Sequence, residues 1–340
     1  MTVRVAINGF GRIGRSYFRA TRSSGADIEV VAINDLLSPK TNAHLLRYDS
    51  TQGRLRGTVE ARSDALVVDG HEIAVHAQRN PADLPWGKLG VDVVIESTGR
   101  FTKRVDAGAH LEAGARRVIV SAPSSDADAT FVVGVNDSDF DGERHLVISN
   151  ASCTTNCFVP MVKVLDDAFG IERGLMTTVH AYTNDQELLD LGRDDLRRAR
   201  AAAINIVPST TGAARSTSLV LSAMKGRLDG HSLRVPVPDG SITDFTAVVA
   251  GRVDPPQINA AFRAAASSGP LSSVLEYCEE PIVSSDIVGS PASCVFDSLL
   301  SLAIGLDGDS TLVKVFGWYD NEWGYSNRLV DLTMLAGRAS

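Results

Sequence analysis

The sequence predicts an α/β protein with two domains. Three observations favour this class: a length of 340 residues, a glycine-rich motif that follows the first strand, and a second half in which strand patterns alternate with helical ones. At roughly 100–200 residues per domain, two domains are expected. We predict a first domain over residues 1–152, completed by the C-terminal segment 321–340, and a second over residues 153–320 with helices on one face of an antiparallel sheet.

The N-terminal segment carries the pattern of a dinucleotide-binding unit. Apolar side chains alternate along residues 3–7, and Gly9-Phe10-Gly11-Arg12-Ile13-Gly14 follows directly. A helical stretch comes next, and a second strand over residues 28–33 leads to Asp35. Strand, G-x-G-x-x-G, helix, strand and an acid about 20 residues after the last glycine are the parts of a Rossmann fold. The alternative is a glycine-rich turn in another α/β protein.

Each part of this motif has a physical reason. Gly9 permits a tight turn, Gly11 lets the backbone approach a pyrophosphate, and Gly14 lets the helix pack close to the strand. The N-terminus of the helix offers N–H groups to the phosphates. Asp35 can accept hydrogen bonds from an adenosine ribose and would repel a 2′-phosphate, so the motif favours NAD over NADP.

Hydroxyl side chains follow two further predicted strands. Residues 91–96 form a nearly continuous apolar run, typical of a strand buried on both faces of a parallel sheet, and Ser97 and Thr98 follow it. Ser121 lies at the end of the run over residues 118–121. Open α/β sheets bind ligands at this edge, although a single hydroxyl is most often a turn or cap residue.

The most unusual stretch lies at residues 149–157, where a strand ends and a helix begins. Cys153 then lies in the first turn of the helix, where the dipole and the free N–H groups favour the nucleophilic thiolate. A metal site is disfavoured because Cys278 and Cys294 are far from the pair in sequence. A disulfide is disfavoured in a reducing compartment, and for Cys157 an inert core residue is the favoured interpretation.

A strand-like run over residues 175–183 contains His180 near its end. A lone strand histidine is usually structural. Together with a thiol nucleophile, His180 becomes a candidate general base, although the sequence does not place the two side chains together.

Composition excludes several classes of protein. No segment approaches the roughly 20 apolar residues of a membrane helix, and the N-terminus lacks the pattern of a secretory signal. Only 4 cysteines argue for a reducing cytoplasm rather than a disulfide scaffold. The net charge of −8 argues against nucleic-acid binding, and the run Arg197-Arg198-Ala199-Arg200 follows Asp194 and Asp195. No metal site is predicted.

The sequence resembles the phosphorylating glyceraldehyde-3-phosphate dehydrogenases over essentially its whole length. The resemblance rests on long, ordered motifs: Ile7 to Arg15, Ala151-Ser152-Cys153-Thr154-Thr155-Asn156-Cys157, Ser209 to Ala214, Arg234-Val235-Pro236, and Trp318 to Ser326.

The resemblance implies a role for individual residues. Cys153 corresponds to the nucleophile that attacks the aldehyde, and His180 to the base. Binding of the two phosphate groups is implied for Thr183 and Arg234 (substrate phosphate), for Ser152, Thr154, Thr211 and Gly212 (inorganic phosphate), and for Arg200, shared between them. Cofactor contacts are expected at Gly9, Gly11, Arg12, Ile13, Asp35, Arg79, Ser97, Thr98, Ser121 and Asn321, the last on the nicotinamide amide.

The implied reaction is the NAD-dependent phosphorylating oxidation of D-glyceraldehyde 3-phosphate through a thioester on Cys153, in glycolysis or gluconeogenesis. The resemblance also implies a cytoplasmic homotetramer with no membrane or nucleic-acid partner. The alternatives are an erythrose-4-phosphate dehydrogenase, a non-phosphorylating aldehyde dehydrogenase and a catalytically idle binding protein.

Four departures from the family pattern stand out. Arg215-Ser216-Thr217-Ser218 replaces a more common Lys-Ala-Val-Gly, and Gly192 stands where NAD-type bacterial members usually have Pro. Gly317 stands where Ser or Ala is more common, and Arg100 where bulky apolar residues are common. None removes a catalytic group. Ordinary drift is the favoured explanation, and an isozyme specialised to resist a thiol-reactive inhibitor is the alternative.

Overall fold

A computed structural model describes residues 1–306 and 308–338 of the chain. The chain divides into two compact units, of which the first comprises Met1–Phe131, Asn136–Ala151 and Ser326–Ser340, and the second Val132–Val135 and Ser152–Tyr325. The first unit thus contains residues from both ends of the chain.

The first unit is built on a nine-stranded sheet with the order β3-β4-β5-β2-β1-β6-β7-β9-β8. Its strands are β1 Val3–Asn8, β2 Ile28–Asn34, β3 Val59–Ala61, β4 Ala65–Val68, β5 His71–His76, β6 Val93–Glu96, β7 Arg117–Val120, β8 Ala129–Thr130 and β9 Val147–Ser149. Its helices are α1 Arg12–Ser24, α2 Pro39–Arg47, α3 Trp86–Leu89, α4 Arg104–Ala107 and α5 Ala109–Glu112. The strands from β5 to β8 pair in parallel, and β3 and β4 extend the sheet antiparallel. The predicted Rossmann fold is confirmed.

The glycine motif forms the turn between β1 and α1, where a side chain would clash at two of its three glycine positions. Gly9 has a φ of +91°, and a Cβ there would lie 2.7 Å from the Thr98 nitrogen. A Cβ on Gly14 would lie 2.2 Å from the Gly9 carbonyl oxygen. A Cβ on Gly11, in contrast, would meet no atom within 4 Å. Two glycines therefore allow close packing, and the third leaves open space beside the N-terminus of α1.

The end of the chain packs into the first unit. Tyr17 and Thr333 share a hydrogen bond of 3.0 Å between their hydroxyls, and Arg117 Nη1 donates to the Ala336 carbonyl at 2.9 Å. Leu329 is fully buried. These contacts involve the last helix, α10, over Trp323–Arg338.

The second unit contains an eight-stranded sheet with the order β11-β12-β10-β13-β17-β15-β14, and β16 pairs with β17. Its strands are β10 Ile171–Ala181, β11 Val207–Thr210, β12 Leu228–Val235, β13 Ser241–Ala250, β14 Leu275–Cys278, β15 Cys294–Asp297, β16 Leu302–Gly305 and β17 Ser310–Tyr319. Its remaining helices are α6 Cys153–Phe169, α7 Ala213–Val220, α8 Pro255–Ser267 and α9 Ser284–Ile287. Most pairs are antiparallel as predicted, but β10 with β12 and β14 with β15 are parallel, so the sheet is mixed.

One face of this sheet forms the core, and the other is open. The Phe158 ring of α6 packs edge-on against Phe245 of β13 at 4.8 Å between ring centroids. Burial alternates strictly along β13 and β17, which shows that every second side chain points away from the helices. Leu175 on this open face is 67% exposed. A second layer is therefore absent from the open face within the described chain.

Gly317 lies in β17 where three sulfur atoms converge. A Cβ at this position would lie 2.6 Å from Cys294 Sγ, 2.6 Å from Met161 Sδ and 3.1 Å from Cys157 Sγ. All three side chains are fully buried. The departure from the more common Ser or Ala therefore has a steric reason: the sulfurs fill the volume that a side chain would need.

We expect Gly317→Ala to lower the free energy of unfolding by about 1–3 kcal/mol, because an extra methyl in a filled core forces its neighbours to move. Chemical denaturation of both proteins measures the difference. Cys294→Ala in the same chain should restore part of the loss, and Gly192→Ala, where a Cβ meets nothing within 4 Å, is the matched control. A Gly317→Ala protein as stable as the parent would contradict the crowding.

Candidate active site

Cys153 is the first residue of α6. Ser152 caps the helix, since its Oγ accepts a hydrogen bond of 3.0 Å from the Thr155 N–H. Ala151, just before the cap, has a φ of +55°, a strained value for a residue with a side chain. Both features fix where the helix begins. The partly buried thiol therefore lies in the predicted first turn, where the helix dipole favours its anion.

His180 contacts the thiol from β10. Its Nε2 lies 3.4 Å from Cys153 Sγ, and its Nδ1 lies 2.7 Å from the Ala181 carbonyl oxygen. The structure therefore brings together the two residues that the sequence could not place side by side. A carbonyl oxygen can only accept, so this contact requires a proton on Nδ1. In the neutral ring Nε2 then has its lone pair directed at the thiol, as a general base requires.

Arg234 adds a positive charge to this pair. It lies on β12 directly opposite His180 in the strand register, and its Nη1 is 2.7 Å from His180 Nδ1. A guanidinium only donates, so Nδ1 cannot serve both Arg234 and the Ala181 carbonyl. Arg234 Nη1 has two other acceptors, the Ala181 oxygen at 3.2 Å and Thr183 Oγ1 at 3.3 Å. We therefore assign the Nδ1 proton to the Ala181 carbonyl.

Burial controls the charge of the pair. Burial raises the pKa of the Cys153 thiol to about 11, although the nearby charge of Arg234 opposes this shift. Burial and the charge of Arg234 lower the pKa of His180 to about 3. Both shifts favour a neutral thiol beside a neutral imidazole. In this neutral pair the Nε2 lone pair can accept the thiol proton.

Tyr319 joins the two elements that carry this pair. Its hydroxyl is 2.9 Å from Thr154 Oγ1 on α6 and 2.7 Å from Thr178 Oγ1 on β10. Its ring lies edge-on to His180 at 5.9 Å between centroids. Tyr319 and Thr178 were missed by the sequence reasoning, which included Tyr319 only in a family motif. Buried polar side chains opposite a nucleophile are visible only once strands are paired.

The other expected phosphate-binding residues are distributed around the second unit. Thr183 lies beside Arg234 and donates a hydrogen bond to Asp185. Thr211 accepts the Ala213 N–H at 3.2 Å, and Gly212 directly precedes α7. Arg200 forms an exposed ion pair with Asp190.

Two arginines of the run over residues 197–200 form ion pairs. Arg198 pairs with Asp185 and Asp195, and Arg200 pairs with Asp190.

The first unit contains a cleft of about 380 Å³ at the end of its parallel strands. The expected cofactor residues Gly9, Gly11, Asp35, Arg79, Ser97 and Thr98 line it, together with Asn8, Asn34, Leu36, Gln78, Arg100 and Phe101. Of the other expected contacts in this unit, Arg12 forms an ion pair with Asp49 at 2.9 Å, Ile13 lies in the first turn of α1, and Ser121 follows β7.

The donor set of the cleft fits a dinucleotide. The two carboxylate oxygens of Asp35 accept the backbone N–H groups of Phe10 and Leu37, each at 2.8 Å, which fixes the side chain. Each oxygen keeps a lone pair for a ribose hydroxyl. The open space at Gly11 and the N-terminus of α1 fit a pyrophosphate. The residues present therefore suit NAD.

A buried network supports this cleft from below. The indole N–H of Trp86 donates to His110 Nδ1 at 2.9 Å, so the neutral ring donates from Nε2 to Glu96 at 3.0 Å. Glu96 also accepts from Asn8 and from the backbone N–H of Thr98. The network holds the loop after β6, which lines the cleft.

Asn321 lies in the second unit, after β17. Ser241 donates a hydrogen bond of 2.7 Å to its Oδ1. Asn321 is 5% exposed, and Ser241 is fully buried.

Asp239 is a buried acid that the sequence reasoning did not consider. It is 1% exposed and accepts the Gly240 N–H at 2.9 Å. Nearby, Asp320 accepts backbone N–H groups from Gly289, Glu322 and Trp323. Burial and the negative charges of Asp320 and Glu322 raise the pKa of Asp239 to about 8. Asp239 therefore keeps its proton at neutral pH.

This acid makes stability depend on pH. Its folded pKa exceeds the unfolded value of about 3.9, so between these values the folded chain holds the extra proton and the free energy of unfolding falls as pH rises. We expect Asp239→Asn to abolish this loss and to be more stable than the parent at pH 8 by a few kcal/mol, with the difference vanishing near pH 4. Thermal unfolding across this range measures it.

The exposed Asp309 provides the matched control, since Asp309→Asn removes a surface carboxyl and leaves the buried acids unchanged. Equal unfolding temperatures of parent and Asp239→Asn at pH 8 would show that Asp239 is not held protonated.

Two kinds of feature are absent from the described residues. In residues 1–306 and 308–338, no cluster of three or more His, Cys, Asp or Glu side chains could hold a metal ion. Over the same residues, no helix is long and apolar enough to cross a membrane.

Comparison with known proteins covers most of the chain. Residues 3–104 match the family model described as glyceraldehyde 3-phosphate dehydrogenase, NAD binding domain, and residues 152–321 match the model of the C-terminal domain. Glyceraldehyde-3-phosphate dehydrogenase 2 of Streptomyces avermitilis is 60% identical over 337 residues, 99% of each chain. The Streptomyces coelicolor enzyme has the same identity and coverage. The Geobacillus stearothermophilus enzyme is 56% identical, over 98% of this chain and 97% of its own.

Proposed function

Because this chain belongs to the glyceraldehyde-3-phosphate dehydrogenase family, we propose that it oxidises D-glyceraldehyde 3-phosphate with NAD and inorganic phosphate to 1,3-bisphosphoglycerate. The observation that carries the proposal is the 3.4 Å contact between Cys153 Sγ and His180 Nε2 at the start of α6. The names of the relatives do not favour an erythrose-4-phosphate dehydrogenase or a specialised resistant isozyme.

The first step uses the thiol and the base. His180 Nε2 accepts the Cys153 proton as the sulfur attacks the aldehyde carbon, and the proton then passes to the carbonyl oxygen. The product is a hemithioacetal on Cys153, and His180 is again neutral. A pair held neutral before the attack suits this order, because no charge has to be stored in a buried site.

The second step needs the base again. His180 Nε2 accepts the hydroxyl proton of the hemithioacetal, and Nδ1 donates to the Ala181 carbonyl while the ring is charged. Bound NAD⁺ supplies the hydride acceptor, and a thioester on Cys153 results. Inorganic phosphate then attacks the thioester carbon, the Cys153 sulfur leaves, and the proton on His180 returns to the sulfur.

We propose two phosphate sites, as the family resemblance implies. We assign the substrate phosphate to Arg234 and Thr183, which lie 3.3 Å apart. A phosphate there offsets the charge of Arg234, which otherwise opposes protonation of His180. We assign inorganic phosphate to Ser152, Thr154, Thr211 and Gly212, with Arg200 shared, as the family resemblance implies.

We assign the cofactor contacts in the same way, from the family resemblance. The cleft residues Gly9, Gly11, Asp35, Arg79, Ser97 and Thr98 would hold the adenosine and pyrophosphate, with Arg12, Ile13 and Ser121 beside them. Asn321 would contact the nicotinamide amide. By function rather than by packing, we propose residues 1–152 with 321–340 as the cofactor domain and 153–320 as the catalytic domain.

A cytoplasmic homotetramer is the assembly we propose. Its support is the open sheet face of the second unit, where Leu175, Leu302 and Ile304 are 67%, 56% and 63% exposed. A loop between β10 and β11 exposes Leu188, Leu189 and Leu196 at 76–79% as well. Several large apolar side chains exposed to this extent on one surface are typical of subunit contacts.

The function is tested by following NADH formation at 340 nm. We expect turnover of glyceraldehyde 3-phosphate that depends strictly on inorganic phosphate, with erythrose 4-phosphate a much poorer substrate and NADP a poorer cofactor. Equal turnover without phosphate would indicate a non-phosphorylating dehydrogenase. Bound NAD without any turnover would indicate an idle binding protein.

A further inference from the structure

We propose that Ser241 is a positioning residue that connects the cofactor-binding side chain Asn321 to the base His180. The proposal rests on the proposed function for the roles of these two residues. Ser241 begins β13, is fully buried, and pairs with Tyr319 of β17 in the strand register. None of the expected site residues included it.

The hydroxyl of Ser241 makes two hydrogen bonds of opposite direction. The Ala181 backbone N–H donates to Ser241 Oγ at 3.1 Å, and Ser241 Oγ lies 2.7 Å from Asn321 Oδ1. A backbone N–H can only donate, so Ser241 must accept from Ala181. Its single proton is donated to Asn321 Oδ1, 2.7 Å away.

The direction of the Ser241 hydrogen bond fixes the orientation of the Asn321 side-chain amide. The atom that receives the Ser241 proton must be the carbonyl oxygen, so Nδ2 is directed away from Ser241. Asn321 therefore presents N–H donors to a ligand. A carboxamide oxygen of a nicotinamide can accept from such a donor, whereas the flipped amide would set oxygen against oxygen.

The same hydroxyl reaches His180 through Ala181. The Ala181 N–H is held by Ser241, and the Ala181 carbonyl accepts from His180 Nδ1 at 2.7 Å. The bond at Nδ1 selects the tautomer in which Nε2 can take the thiol proton. Ser241 thus supports the orientation of the cofactor contact and of the base with one oxygen atom.

Removal of the hydroxyl should have two separate effects. In Ser241→Ala, Asn321 loses the donor that fixes its amide, and NAD binding should weaken about 10-fold, the effect of one lost hydrogen bond. The Ala181 backbone also loses its partner, which weakens the acceptor for His180 Nδ1. The imidazolium that forms when Nε2 accepts the thiol proton is then less stabilised, so alkylation of Cys153 near neutral pH should slow about threefold.

The alkylation of Cys153 can be interpreted because the groups that face His180 stay the same in Ser241→Ala. They are Cys153 on α6, Arg234 on β12, Tyr319 on β17 and Asp185 after β10, and none of them is changed by the substitution. A change of the alkylation profile in Ser241→Ala therefore reports the Nδ1 bond.

A matched control separates positioning from stability. Thr311 on β17 is 1% exposed, and its hydroxyl also has one acceptor and one donor, the Gly251 carbonyl at 2.8 Å and the Val253 N–H at 3.1 Å. It pairs with Val249, at the opposite end of β13 from Ser241. Thr311→Val removes equivalent bonds and should lower the unfolding temperature without changing NAD binding or the alkylation profile.

The experiment compares Ser241→Ala, Ser241→Thr and Thr311→Val with the parent. NAD affinity is measured by titration calorimetry, and Cys153 reactivity by iodoacetamide inactivation between pH 5 and 10. We expect both properties to change in Ser241→Ala and to be restored in Ser241→Thr, which keeps the hydroxyl. If Ser241→Ala stays within twofold of Thr311→Val in both properties, or if threonine restores neither, the proposal is overturned.

The proposed function can fail independently of this proposal. A parent protein that does not turn over glyceraldehyde 3-phosphate would refute the function, whereas NAD affinity and thiol reactivity would still report on Ser241.

Discussion

Replacing Cys153 with alanine is expected to lower the turnover of glyceraldehyde 3-phosphate by about 10⁵-fold or more. The proposed reaction passes through two covalent states on this sulfur, and neither can form on a methyl group. No other thiol can substitute: Cys157 and Cys294 are fully buried, and Cys278 lies on β14 and contacts the backbone of Glu280. The measurement is NADH formation under single-turnover and steady-state conditions.

Two control results are expected beside this loss of turnover. NAD affinity and the unfolding temperature should remain close to those of the parent, because Cys153 is not part of the cleft in the first unit. Cys278→Ala, a second partly exposed thiol, should retain full activity. Residual activity of Cys153→Ala above one per cent would refute the thioester route.

Replacing His180 with asparagine should lower the turnover by about 10²–10⁴-fold. The asparagine amide is a hydrogen-bond donor like Nδ1, but it offers no base in place of Nε2. The buried thiol, whose pKa burial raises to about 11, would then have to ionise without a partner. We therefore expect alkylation of Cys153 in this variant to rise only at alkaline pH.

The control for this variant is His231→Asn. His231 lies on β12, three residues before Arg234, and its side chain is exposed. The His231→Asn protein should react with iodoacetamide like the parent at each pH. If His180→Asn also had the parent's profile, the 3.4 Å contact would have no role in thiol activation.

Local features of the fold could be predicted from the sequence. The turn between β1 and α1 depends on contacts within a few residues, such as Gly14 against the Gly9 carbonyl, so the glycine spacing carries the information. The start of α6 is equally local, since Ser152 caps it through Thr155. The start of α8 is local as well, since Asp254 and Gln257 form a capping box there.

Contacts that depend on strand pairing could not be predicted. His180 meets Arg234 because β10 and β12 are parallel neighbours, and Ser241 meets Ala181 because β13 lies on the other side of β10. Strand periodicity shows which side chains share a face but not which strand lies beside which. The mixed character of the second sheet escaped prediction for the same reason.

The sulfur cluster around Gly317 constrains the order in which this sequence can change. A side chain can be gained at position 317 only after volume has been lost at Cys157, Met161 or Cys294. Chimaeras that import alanine or serine at 317 alone would therefore lose stability, although each residue is acceptable in its own background. Exchanging β15 and β17 together would transfer residue 294 with residue 317, so that a gain of volume at one is matched by a loss at the other. A chimaera at this core should therefore exchange the two strands as one unit, because the effects of residues in contact are not additive.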